Sequence, residues 1–138
     1  MGFAREARVH LQSDVSCLGE GRRFVARTLR EWAADATRIE SVTLVANELV
    51  ANAIVHAGSP PVLTLTQAGT DLVLRVSDDS CTAPVVRAPT NDEWSGRGLL
   101  LVESLSDRWG VDVEAAGKCV WVAFDGTFSP AAEMEKAP

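Results

Sequence analysis

Chemically specific side chains recur at every fourth position in one segment of the sequence. Glu48, Asn52 and His56 stand four residues apart in an otherwise apolar stretch. On an α-helix this spacing places all three side chains on one face. A carboxylate in that position can act as a general base, and an amide oxygen can ligate Mg²⁺. The alternative is the solvated face of an amphipathic helix, although such a face more often carries Lys, Glu and Arg.

Asp78 is a second candidate because it stands at the C-terminal end of an alternating apolar segment, residues 72–78. A carboxylate at the end of a strand can accept a hydrogen bond from an exocyclic amine. The run Asp78-Asp79-Ser80 is equally typical of the start of a turn, because these side chains hydrogen-bond to nearby backbone. The segment alone leaves both interpretations open.

Two glycines form a third candidate at the start of a short apolar helix. Gly96 and Gly98 let the backbone approach a ligand closely, and a helix N-terminus presents unpaired N–H groups to phosphate. A glycine cap beside a core helix explains the same residues. The third glycine and preceding strand of the dinucleotide fingerprint are missing, as is the G-x-x-x-x-G-K-[ST] phosphate loop. Phosphate binding and capping therefore both stay open.

The composition excludes several classes of function. A formal net charge of -6 argues against a nucleic-acid backbone as the main partner, because that binding needs a basic face. Three scattered cysteines without a CxxC pair are typical of reduced thiols, and two histidines are too few for a typical zinc site. We see no signal peptide and no apolar run of membrane-spanning length. We therefore expect a cytoplasmic protein without a membrane or direct nucleic-acid partner.

Hydrophobic periodicity predicts three helices and five strands. The helices are placed at residues 15–34, 38–57 and 97–106, and the strands at 8–12, 62–68, 72–78, 109–115 and 118–125. A polar loop over residues 79–95 precedes the third helix, and a loop of this length is usually functional. The order predicts an α+β two-layer sandwich, with helices on one face of a mostly antiparallel sheet. We expect one domain over residues 1–125 and a disordered tail over residues 126–138.

The second helix has the clearest period. Its predicted buried positions follow the 3.6-residue repeat and are Ile39, Val42, Val45, Ala46, Leu49, Val50 and Ala53. Gly58 stands where a helix commonly ends. The polar stripe that begins at Glu48 lies outside this set, so the same helix has a core face and a chemically specific face.

The helix stripe and the strand-end aspartate together resemble motifs of the gyrase/histidine-kinase (GHKL) ATPase superfamily. The pattern Glu48-x-x-x-Asn52-x-x-x-His56 is similar to the N box of that superfamily. Asp78 resembles the adenine-reading aspartate of its first glycine box. The combination, in this order of helices and strands, carries the resemblance more than either motif alone.

Two further segments extend the resemblance to nearly the whole chain. Residues 95–99 look like the second glycine box, which closes over the phosphates, and residues 117–118 stand where the last box begins. The resemblance covers roughly residues 8–125. It implies the Bergerat-type ATP-binding fold, with ATP and Mg²⁺ as cofactors.

The resemblance also implies a role for each candidate residue. Glu48 would be the catalytic base that takes the proton from a partner's serine hydroxyl, and Asn52 would ligate Mg²⁺. Asp78 would select adenine. The other nucleotide-binding positions implied are Ser80, Gly96, Arg97, Gly98, Leu99, Leu100 and Lys118.

A stand-alone domain of this kind is similar to the anti-sigma-factor serine kinases of bacterial partner switching. The resemblance implies an ATP-dependent protein-serine kinase that binds a sigma factor and phosphorylates the antagonist of that pair. It also implies a homodimer through the N-terminal strand and first helix, where Val9 and Leu11 would otherwise leave an apolar edge open. Ser80 and Thr82 replace the usual glycines, and this favours an alternative. In that alternative the fold holds ATP weakly or not at all and acts as a stoichiometric regulatory partner.

Overall fold

The computed structural model describes residues 4–12, 14, 16–57, 60–78, 96–114 and 117–128. The elements follow the predicted order, β-α-α-β-β-α-β-β. They are β1 (Ala4–His10), α1 (Cys17–Glu31), α2 (Ala36–Ala57), β2 (Val62–Ala68), β3 (Asp71–Asp78), α3 (Gly96–Leu105), β4 (Arg108–Glu114) and β5 (Gly117–Phe124). The predicted loop at residues 79–95 lies outside the described residues.

All five strands form one antiparallel sheet in the order β1-β2-β3-β5-β4. The β2–β3 hairpin turns at Gly69, whose φ of 62° lies in the left-handed region that glycine adopts at no steric cost. Along each strand, alternate side chains point to opposite faces of the sheet. One face carries the apolar side chains that pack against the helices, so the predicted α+β sandwich is confirmed.

Helix α2 is the central helix of the helical layer, because it packs against α1, α3 and β3. Its periodic positions were predicted correctly. Six of the seven are buried and Ile39 is partly buried against the same core. The helix starts two residues earlier than predicted, after Asp35, whose carboxylate accepts a hydrogen bond of 2.8 Å from the backbone N–H of Arg38. This side-chain cap satisfies one donor of the first turn.

The first strand differs from the prediction, which placed it at residues 8–12. It begins at Ala4 and ends at His10, in register with the whole length of β2. Leu11 follows the strand and is only 3% exposed, packing near Gly21 of α1. The premise that Leu11 would lie open on an apolar edge is therefore wrong, because the helical layer already covers it.

Residues after the last strand contact the core. Phe128 is buried against the ring of Trp32, with 6.3 Å between ring centroids, and its N–H donates to the carbonyl of Thr70 at 3.0 Å. Aromatic burial of this kind contributes strongly to a core. An apolar residue beyond the last strand thus closes one end of the sandwich.

Among the described residues, no helix is long and apolar enough to cross a membrane. Of the three cysteines, Cys17 and Cys119 lie in the described part of the chain, where both are buried free thiols. Burial raises the pKa of the Cys17 thiol, which favours its neutral form.

Candidate functional site

Glu48 and Asn52 lie one turn apart on α2, and both are half-buried. They flank the buried face of the helix, where Leu49 and Ala53 enter the core. A merely solvated stripe would be exposed at both positions, so the partial burial favours a stripe that borders a site. The side chain of His56 lies outside the described residues.

The amide of Asn52 has an unsatisfied buried atom. Its Nδ2 is inaccessible to solvent and has no hydrogen-bond partner among the described residues. Leaving a buried polar group unpaired costs about 1–3 kcal/mol, and native proteins rarely tolerate it without a reason. An asparagine amide offers nitrogen to an acceptor and oxygen to a cation. A phosphate oxygen could accept a hydrogen bond from this Nδ2, whereas a metal ion would bind the Oδ1 of the same amide.

Asp78 faces the helical layer from the end of β3. It shares the face of Leu74 and Val76, both buried in the core, because the three alternate along the strand. Lys118 of β5 is directly opposite Asp78 in the antiparallel register, so it lies on the same face. Both side chains are half-buried. The sheet therefore contributes a carboxylate and an ammonium group side by side on the face of the sheet that α2 covers.

Connectivity places the end of α2 beside the end of β3. Only four residues separate the end of α2 from β2, and the first residue of β2, Val62, pairs with Ser77 beside Asp78. The C-terminal end of α2 therefore lies near the end of β3. Helix α3 ends at the opposite end of the sheet. The N–H of Asp107, which follows the helix, donates a hydrogen bond to the carbonyl of Ala123 near the far end of β5. The N-terminus of α3 therefore lies at the other end of this 10-residue helix, away from Ala123.

The start of α3 contributes backbone donors. The helix begins at Gly96, and the first four N–H groups of any α-helix have no partner within the helix. Such groups, with the helix dipole, favour phosphate. Leu100 is 65% exposed at this end. The side chains of Arg97 and Leu99 lie outside the described residues, as does all of Ser80.

The donor set fits a nucleotide with a magnesium ion better than a metal held by protein alone. In the part of the chain that the structure describes, no group of three or more His, Cys, Asp or Glu side chains could hold a metal. Magnesium is commonly held by one or two protein oxygens together with phosphate oxygens. Asn52 can supply such an oxygen, and α3 can hold phosphate nearby.

A family model described as a histidine kinase-like ATPase domain matches residues 11–124. The chain belongs to the histidine kinase-like ATPase family. The match runs from the end of β1 to the end of β5, so it contains α2, Asp78 and α3 together. Membership in this family confirms the GHKL resemblance read from the motifs.

The fold is similar to a solved structure of the RsbU and RsbW domains of Rv1364c from Mycobacterium tuberculosis. The TM-score is 0.67 at 18% sequence identity, and the match covers 91% of this chain and 34% of that one. The chain thus spans about a third of the length of that protein. At this identity the likeness establishes the histidine kinase-like ATPase fold alone. No curated protein matches the sequence.

The sequence pattern predicts Glu48, Asn52 and Asp78 as site residues, but it does not show what distinguishes them from a solvated stripe. The unsatisfied amide of Asn52 depends on how neighbouring elements bury it, and no sequence pattern gives that. The shared face of Lys118 and Asp78 follows from the β3–β5 register, which joins residues 40 positions apart. The alternation of residues along each strand predicts the face of the sheet on which Asp78 and Lys118 lie. Only the pairing of β3 with β5 shows that the two residues are neighbours.

Proposed function

We propose that the chain is an ATP-dependent protein-serine kinase of the partner-switching type, which binds a sigma factor and phosphorylates its antagonist. The observation that carries this proposal is the buried Nδ2 of Asn52, which has no hydrogen-bond partner among the described residues and lies one turn from Glu48 on the helix that resembles the family's N box. Partial burial of Glu48 beside a phosphate site is the arrangement that a general base needs.

Each of these residues has a separate role in phosphoryl transfer. Asn52 holds the metal, Asp78 accepts a hydrogen bond from the adenine amine, and the N–H groups at the start of α3 bind phosphate oxygens. Bound Mg²⁺ would neutralise part of the negative charge of the phosphates. The partner's serine oxygen bonds to the γ-phosphorus as the bridging P–O bond breaks, and Glu48 takes the serine proton. ADP and the phosphoserine are the products, and catalysis is mainly positioning and charge stabilisation.

The alternative function is a regulatory partner that does not transfer phosphate. Ser80 and Thr82, where glycines are usual, favour it because a side chain restricts how closely the backbone can approach a nucleotide. In this alternative the fold still binds a regulator stoichiometrically. The two functions differ in whether Glu48 performs chemistry.

Incubation with γ-labelled ATP, Mg²⁺ and candidate antagonist proteins tests the proposal. We expect label on an antagonist serine, and none when Mg²⁺ is chelated. Calorimetry with ATP on the same sample separates the two functions. ATP binding without transfer to any candidate that forms a complex with the chain would favour the regulatory alternative. Absence of ATP binding would contradict the kinase proposal.

A further inference from the structure

The face of the sheet opposite the helices, called here the outer face, carries an open cavity of about 630 Å³. No described helix packs on this face, and all five strands line the cavity, from Arg8 on β1 to Asp112 on β4. Binding sites for small molecules commonly have volumes of about 300–1,000 Å³. Asn52 and Asp78 lie on the helical side of the sheet, so the cavity is separate from the candidate nucleotide site.

A buried threonine lies in the floor of the cavity. Thr64 points to the outer face, because its neighbours Leu63 and Leu65 are both in the core, yet it is only 6% exposed. Its hydroxyl forms no hydrogen bond with another described residue. Buried polar groups in native proteins nearly always have a hydrogen-bond partner. A ligand in the cavity would supply one.

Two arginines flank this hydroxyl. Arg8 on β1 and Arg75 on β3 are both directly opposite Thr64 in the strand register, so their Cα atoms are two strand spacings apart, roughly 10 Å. Arg75 forms no ion pair with another described residue. Arg8 lies 3.6 Å from the carboxylate of Glu6, and both of these side chains are more than half exposed. An exposed pair of this kind contributes little to stability, so Arg8 can bind another anion.

The arrangement of these three donors fits a phosphate better than a carboxylate. The guanidinium groups of Arg8 and Arg75 can approach an anion from two sides, and the hydroxyl of Thr64 can donate from the sheet below it. A phosphate monoester presents three acceptor oxygens in a tetrahedral arrangement, whereas a carboxylate presents two in one plane. Arginine also binds phosphate through two parallel N–H bonds.

The rest of the cavity fits a ligand rich in hydroxyl groups. Ser77, Cys119 and Asp112 are neighbours in one row of the sheet register and line the cavity toward β4. The Ser77 hydroxyl can donate or accept, and the Asp112 carboxylate accepts, so a ligand here needs O–H donors of its own. The Cα atom of Asp112 is roughly 12 Å from that of Arg75, two strand spacings and one row away. Its negative charge is therefore well separated from the two arginines.

We propose that the cavity on the outer face binds a phosphorylated sugar. The phosphate lies between Arg8 and Arg75 over the hydroxyl of Thr64, and the sugar hydroxyls face Ser77 and Asp112. This site does not depend on the proposed kinase activity, because no residue of the candidate nucleotide site lines the cavity.

The test is a titration of the isotope-labelled full chain with glucose 6-phosphate, followed by the backbone amide shifts in NMR spectra. We expect saturable shifts centred on Thr64, Arg75 and Ser77. Glucose lacks the phosphate, and glucuronate carries a carboxylate at the same end of the sugar. Both should bind at least about tenfold more weakly, because charge-assisted hydrogen bonds to phosphate supply much of the affinity.

Two substitutions test the phosphate position. Arg75→Gln removes one of the two guanidinium groups and should weaken glucose 6-phosphate binding about tenfold or more. Thr64→Val keeps the shape of the side chain, removes only the hydroxyl, and should weaken binding by a smaller factor. Arg108→Gln is the matched control, because Arg108 lies on the same face outside the cavity and pairs with Asp125 at 2.6 Å. It should leave the affinity unchanged.

Each outcome decides the proposal. The absence of saturable shifts with glucose 6-phosphate overturns it, and so does equal affinity for glucuronate or unchanged affinity in both Arg75→Gln and Thr64→Val. Shifts centred on Asp78 and the start of α3 would place the sugar phosphate in the nucleotide site and would also overturn it. ATP calorimetry on Arg75→Gln reports the kinase proposal separately and should match the wild type, because Arg75 is on the opposite face from the nucleotide site.

Discussion

At the scale of single residues, the family identification and the local geometry converge on Asn52. Its position four residues after Glu48 made it a candidate, and its inaccessible Nδ2 makes a ligand the simplest way to satisfy it. Among the described residues this Nδ2 has no protein partner, which an asparagine buried only for stability would have. The packing of α2 therefore fixes the position of Asn52 in the candidate site.

Replacement of Glu48 tests chemistry separately from binding. We expect Glu48→Gln to leave ATP affinity nearly unchanged and to slow transfer to an antagonist serine by about 100-fold or more, because a base acts only when a proton moves. Single-turnover transfer and calorimetry measure the two effects. Glu40→Gln, two turns earlier on α2 and exposed, is the control. Wild-type transfer by Glu48→Gln would mean that Glu48 is part of a solvated stripe.

Replacement of Asp78 tests adenine recognition. Asp78→Asn removes a charged acceptor, so ATP binding should weaken by about 1.5–3 kcal/mol, and the preference for ATP over GTP should narrow. Calorimetry with both nucleotides measures the change. Asp71→Asn is the matched control at the other end of β3, where the carboxylate accepts the N–H of Gly126 at 3.0 Å. Equal losses in the two variants would indicate a general effect on the strand.

At the scale of elements, α2 has two roles, and each role belongs to a different face of the helix. One face supplies much of the core, and the adjacent face holds Glu48 and Asn52 at the end of β3. Rigid packing of the first face fixes the position of the second. A catalytic group benefits from this arrangement because small displacements reduce transfer strongly.

Truncation of the core face should destabilise the domain. Leu49 is 2% exposed, so Leu49→Ala should lower the free energy of unfolding by about 2–5 kcal/mol through lost burial and the cavity that remains. Leu44 is 46% exposed on the same helix, and Leu44→Ala should change it by no more than about 0.5 kcal/mol. Urea unfolding of the two variants measures both values. Similar costs would contradict the assignment of the buried face.

At the scale of the whole molecule, the sheet separates two surfaces. The helical side holds the candidate nucleotide site, and the opposite face, on which no described helix packs, carries a cavity of about 630 Å³. Because the sheet lies between them, a substitution on one surface should leave the other surface unchanged. A shared effect would have to pass through the paired strands themselves.

Nucleotide binding should protect one end of the molecule. With ATP and Mg²⁺ we expect slower hydrogen exchange in residues 48–57 and at the start of α3, and in the loop at residues 79–95. ADP should protect them less, because the γ-phosphate is missing. Residues 62–68 in the middle of the sheet serve as the internal control. Identical exchange rates in the apo, ADP and ATP samples would show that the loop does not respond to nucleotide. That result would favour the regulatory alternative over the kinase proposal.

The sequence alone determined the features that depend on local periodicity. The 3.6-residue repeat of α2 gave both its buried face and the Glu48–Asn52 stripe, and the two-residue alternation of β2 and β3 gave the hairpin. These patterns are local because helix and strand geometry fix which neighbours share a face. The order of elements then gave the α+β class.

The tertiary structure decided what depends on contacts between distant segments. Pairing with β2 set the start of β1 at Ala4, although the alternation of its own residues had indicated a later start. Burial of Leu11 and Phe128 required the helical layer and the β2–β3 turn to be in place. The burial of the Asn52 Nδ2, without a partner among the described residues, and the pairing of Asp78 with Lys118 likewise arise from packing and register. Such features have no local signature, because the free energy that fixes them comes from residues far apart in the chain.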